Sequence, residues 1–186
     1  MVWTQQLRQK WFGPPLRWCA LRGLKPDHLT LMSLICGLGF MPLFFWNESL
    51  ALCALALHVI LDGLDGPLAR IAKIASRRGS FTDTTSDQIV VTVTTITIMC
   101  PPNPLIGLVP GTTYIFVYTV VVVFAMVRNT MNIPYGWLVR PRFIVYICIF
   151  LEINFFAGIT NYVVCFFTLF LGIHMVSGFF QIRKIL

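Results

Sequence analysis

Charge is scarce in this sequence. Of 186 residues, 14 are Lys or Arg and 7 are Asp or Glu, so charged residues make up 11 % of the chain against 57 % hydrophobic. The mean hydropathy is +0.79. A water-soluble domain of this length could not hide so much apolar surface, and a soluble fold is excluded. No CxxC pair is present among Cys19, Cys36, Cys53, Cys100, Cys148 and Cys165, so a redox or zinc-ribbon role is not indicated. The three histidines, His28, His58 and His174, are dispersed rather than clustered. His28 reads as a cap on the first span, and the other two as satisfied packing residues. The basic, aromatic opening stretch lacks the apolar run of a secretory signal. No internal repeat and no low-complexity tract stands out, and no nucleic-acid partner is expected.

Long uncharged runs are present. Gln88 to Val127 is forty residues without Asp, Glu, Lys or Arg, and Ile153 to Ile182 is thirty more. A turn-rich interruption, Pro101-Pro102-Asn103-Pro104 through Pro110-Gly111, divides the first run into two segments. Each is close to the length of about 20 apolar residues that crosses a bilayer as a helix. The β-branched stretches Val90–Ile98 and Val120–Val123 would suit strands in water. In lipid, a continuous apolar run must satisfy its own backbone, so helix is expected.

Six spans follow, near residues 29–47, 49–74, 80–100, 112–130, 138–157 and 159–180. The fold class is therefore all-α integral membrane. Residues 1–28 read as an amphipathic interfacial helix, with Trp3, Leu7, Trp11, Phe12 and Leu16 interleaved among Arg8, Lys10 and Arg17. Residues 29–186 form the six-helix domain. With six spans all fourteen basic residues fall on one side, and the opposite loops carry only Glu48 and Glu152. The positive-inside rule then places both termini in the cytoplasm.

Four of the seven acids lie within twenty-six positions: Asp62, Asp65, Asp83 and Asp87. A carboxylate inside a span costs at least about 2.5 kcal/mol, so four together call for a positive charge among them. Asp62 and Asp65 are three apart, and Asp83 and Asp87 four apart, so each pair shares a helix face. A short basic turn around Ser76–Gly79 makes the two spans antiparallel neighbours, able to oppose the pairs near the cytoplasmic end. Oxygen ligands with no His or Cys favour Mg²⁺ or Mn²⁺ over zinc. Gly63, Gly66, Ala69 and Gly79 leave room beside the acids, and Arg70 can pair with a phosphate. Thr82 to Ser86 are expected to back-bond their own helix. A rival reading makes the acids a proton or cation relay in a transporter. Their gathering at one end beside Gly and Arg suits a substrate at the membrane surface instead.

The spacing Asp62-x-x-Asp65-Gly66-x-x-Ala69-Arg70, eight residues, Gly79, three residues, Asp83, three residues, Asp87 resembles the signature of the CDP-alcohol phosphotransferase family at all eight specified positions. Lys25-Pro26-Asp27-His28-Leu29-Thr30 is similar to the family's segment before the first span, with Asp27 where many members have Asn. Gln88 stands where many have a basic residue. The resemblance implies transfer of a phosphatidyl group from CDP-diacylglycerol to an alcohol with release of CMP. By position it implies that Asp62, Asp65, Asp83 and Asp87 hold Mg²⁺ or Mn²⁺, two ions in all. Asp87 would also be the general base. Gly66, Ala69, Arg70 and Gly79 would hold the cytidine diphosphate, and the protein would be a homodimer. Arg128, Arg140, Arg142 and Arg183 are candidates for binding a phosphorylated acceptor such as glycerol 3-phosphate or inositol phosphate. Positive-inside anchoring explains those arginines equally well, and an unphosphorylated acceptor such as serine is the alternative.

Overall fold

The computed structural model describes residue 16 and residues 22–131, 141–155 and 157–184. The described residues form six helices and no strand: α1 (Pro26–Trp46), α2 (Glu48–Ile71), α3 (Arg77–Met99), α4 (Leu108–Thr130), α5 (Arg142–Asn154) and α6 (Ile159–Arg183). They agree with the six expected spans in number and order. Most of the expected interfacial helix, and Arg140, lie outside the described residues. Leu16 is an exception and is buried against Leu29 and Leu68.

The helices fall into two compact units, residues 1–87 and 88–186. In the first, α1 begins at Pro26, three residues before the expected start. Proline suits the first helical position because its missing N–H would have no partner there. α1 and α2 are joined by Asn47 alone. Its extended backbone ends one helix, and its side-chain oxygen accepts from Leu50 N–H at 3.1 Å to cap the next. α1 then packs on α2. Its buried face, Leu29, Thr30, Ser33, Gly37, Phe40 and Phe44, repeats every three or four residues. The facing seam of α2 is apolar at Ala51 and Leu55 and becomes polar at His58 and Asp65.

α2 stops at Ile71, short of the expected 74. Ile74 N–H donates to Ala69 O (3.0 Å) and Lys73 N–H to Arg70 O (3.2 Å), closing a Schellman turn. Lys73 occupies its left-handed position, at φ 56. α3 starts three residues later than that turn, capped by the Ser76 hydroxyl, which accepts from Gly79 N–H at 3.1 Å. α3 runs through both units, and its N-terminal half carries Asp83 and Asp87.

In the second unit α4 and α5 both pack on α6. Tyr114, Val117 and Val121 of α4, Ile149 of α5 and Val164 and Leu171 of α6 are buried. Glu152 of α5 caps α6 with both carboxylate oxygens, accepting from Gly158 N–H (2.9 Å) and Thr160 N–H (2.7 Å). Gly158 makes that turn at φ 86, where a side chain would be strained.

α1, α2, α4 and α6 are each long and apolar enough to cross a membrane. Their outward faces are apolar, with Leu169 74 % and Ile173 71 % exposed, as hydrocarbon contact requires. α3 falls outside this group because arginines, aspartates and threonines fill its first half. The thirteen described residues of α5 measure about 20 Å at 1.5 Å per residue.

Candidate active site

The α2–Schellman turn–α3 hairpin brings the two aspartate pairs together within the first unit. Asp62, Asp83 and Asp87 each offer a carboxylate oxygen, and these oxygens lie within 4.8 Å of one another. Asp87 is buried, and Asp62 and Asp83 are half-buried. Three carboxylates at this spacing repel one another, and a cation among them would offset that repulsion. An all-oxygen set fits a hard divalent cation, and no Cys or His joins the group among the described residues.

Asp65 is placed differently. It is buried, and its Oδ2 accepts from the Thr30 hydroxyl at 2.8 Å. Its carboxyl also lies within hydrogen-bonding reach of Asp83. Asp65 thus joins the cluster through Asp83 while being held from α1.

A cavity of about 430 Å³ opens beside the acids. α2 contributes Asp65, Gly66, Ala69 and Arg70, and α3 contributes Gly79, Ser80 and Asp83. Gly66, Ala69, Arg70 and Gly79, the four residues expected to hold a nucleotide, all line it. The Arg70 guanidinium folds back over Gly66, with Nη1 3.6 Å from where a Cβ would stand. A methyl group there would meet Arg70 at ordinary contact distance, so the space beside Gly66 is not demanded by protein packing.

The same cavity is lined by Lys25, Pro26, Asp27 and Thr30, which the sequence did not mark as site residues. Their similarity to the family's segment before the first span was the only signal available. Contact between Thr30 and Asp65 joins residues 35 apart and arises from packing alone.

The candidate acceptor arginines belong to the second unit. Arg128 is half-buried in the last turn of α4, and Arg183 is exposed at the end of α6. Arg142, first in α5, is 2 % exposed, with its guanidinium 4.7 Å from the Phe143 ring centre. His58 is a satisfied packing residue, bonded through Nδ1 to Ser33. His174 lies edge-on to Phe170 at 4.7 Å. Thr82, Thr84 and Thr85 donate to the carbonyls four residues back, as expected.

Four long apolar helices, with an acidic cluster and a polar cavity at one helix hairpin, define a multi-pass membrane enzyme. Residues 24–174 match the CDP-alcohol phosphatidyltransferase family, and the chain belongs to it. It is thus an enzyme of phospholipid synthesis, and the transporter reading falls away. No curated protein matches the chain. Among solved structures it is similar to the phosphatidylinositol phosphate synthase of Mycobacterium tuberculosis, crystallised with CDP-DAG bound. That likeness has a TM-score of 0.74 at 19 % identity and covers 91 % of this chain and 92 % of the other. It confirms the all-helical membrane fold.

Proposed function

We propose that the enzyme transfers the phosphatidyl group of CDP-diacylglycerol to a phosphorylated alcohol, such as glycerol 3-phosphate or inositol phosphate, and releases CMP. The observation that carries this reading is the meeting of Asp62, Asp83 and Asp87 within 4.8 Å, next to a cavity lined by Arg70 and Gly66. Asp62, Asp65, Asp83 and Asp87 would hold Mg²⁺ or Mn²⁺, as two ions. The metal supplies neutralisation of the diphosphate and polarisation of the phosphorus. Arg70 pairs with a phosphate and stabilises charge on the departing CMP. Gly66, Ala69 and Gly79 let the nucleotide lie against the backbone.

Asp87 takes the proton of the acceptor hydroxyl. The acceptor oxygen then bonds to the phosphorus bearing diacylglycerol, and the bridging oxygen leaves with CMP. The bilayer holds the acyl chains. Arg142 supports a phosphorylated acceptor, because a charge placed only for topology belongs in water and this one is 2 % exposed. Arg128, Arg140 and Arg183 are the further candidates for binding the acceptor phosphate.

In this reading α3 and α5 complete six spans, residues 1–28 lie on the inner leaflet, the site faces the cytoplasm and the enzyme is a homodimer. CMP release from CDP-diacylglycerol by purified protein, measured across an acceptor panel, tests the proposal. Release that requires glycerol 3-phosphate or inositol phosphate supports it. Preference for serine or another unphosphorylated alcohol defeats the acceptor assignment, and failure with every alcohol defeats the donor assignment.

A further inference from the structure

We propose that Thr30 is a positioning residue for Asp65, so that α1, which bears none of the clustered aspartates, sets the cation affinity of the site. The inference rests on the metal reading above. In α3 the hydroxyls of Thr82, Thr84, Thr85, Thr92, Thr95 and Thr97 donate to their own helix four residues back, at 2.7–3.1 Å. Thr30 departs from this habit. Its hydroxyl has one proton and two acceptors in reach, Pro26 O at 3.2 Å and Asp65 Oδ2 at 2.8 Å. The Asp65 oxygen is the closer of the two and takes the proton. Both residues are largely buried, at the edge of the cavity. With Oδ2 held from α1, the carboxylate plane of Asp65 is set beside Asp83 of the cluster.

A second polar rung supplies the control. One turn along α1, Ser33 Oγ lies 2.8 Å from His58 Nδ1 and donates to His58 O at 3.1 Å. Nδ1 is also 3.1 Å from Ser33 O, so it carries the proton. This rung fixes the same two helices against each other through a residue four positions before Asp62 and seven before Asp65. A role of Thr30 in packing alone would be shared by Ser33, whereas a role in orienting Asp65 would not.

The test is a Mn²⁺ titration of the purified full-length protein in detergent without nucleotide, following free Mn²⁺ by electron paramagnetic resonance, with thermal unfolding in parallel. Thr30→Val should weaken Mn²⁺ binding by about 10- to 100-fold, the usual effect of removing a group that orients a ligand, with an unfolding temperature near that of the parent. Thr30→Ser should restore binding. Ser33→Ala should lower the unfolding temperature and leave Mn²⁺ affinity in place. If Thr30→Val does not fold, Thr30→Ala against Thr30→Ser carries the comparison. Unchanged affinity on loss of the hydroxyl, or equal weakening by Ser33→Ala, overturns the proposal. Failure of the unsubstituted protein to bind Mn²⁺ instead removes the metal reading, and the proposal with it.

Discussion

Asp87 and Gly66 illustrate two ways in which one residue can matter. Asp87 combines burial with membership of the acidic cluster. Replacing it by Asn keeps the shape and removes the basic oxygen. Asp87→Asn should lower turnover by about 100-fold or more, the scale of a lost general base, while CDP-diacylglycerol still binds. A single-turnover assay beside donor binding separates the two effects, and full activity would take Asp87 out of the base role. Gly66 has no such chemistry. Its open side meets only the Arg70 guanidinium, at 3.6 Å. Gly66→Ala should therefore fold normally and raise the donor KM by about tenfold, since a methyl group forced into a filled site costs about 1–3 kcal/mol. A lowered unfolding temperature with an unchanged KM would contradict this.

Helix ends in this chain are made by single residues, each legible to a different degree. Pro26 at the start of α1 and the Ser76 cap of α3 follow common rules and lie close to where the sequence puts them. Lys73 follows no such rule: lysine seldom takes a left-handed φ, so the expected span ran on to residue 74. Glu152 is a third case. From sequence it is a charge in a loop opposite the basic side, yet its carboxylate caps α6 from the neighbouring helix. Glu152→Ala should destabilise the protein by about 1–2 kcal/mol through the lost cap, with activity kept below the unfolding transition. Thermal unfolding checks the first part and CMP release the second.

At the scale of the whole molecule the decisive quantity is charge. A chain that is 11 % charged concentrates four of its seven acids in one helix hairpin. Removing the counter-charge should therefore be felt everywhere in that unit. EDTA should abolish turnover, and Mg²⁺ or Mn²⁺ should restore it. Intrinsic fluorescence of the full-length protein would report the accompanying change in fold stability. Turnover that survives exhaustive chelation would remove the divalent ion from the reaction.

The sequence by itself determined the number and order of the helices, the membrane environment and the identity of the acidic residues. Those properties depend on local runs and on spacings of three and four along one helix, which a linear string displays directly. Tertiary structure alone decided that Asp65 is held by Thr30 while Asp62, Asp83 and Asp87 bring their oxygens within 4.8 Å of one another, and that Lys25, Pro26, Asp27 and Thr30 share the cavity. It also decided that Arg142 is buried while Arg183 is exposed. The physical reason is that packing between helices, not periodicity within one, sets which distant side chains meet and which are taken out of water.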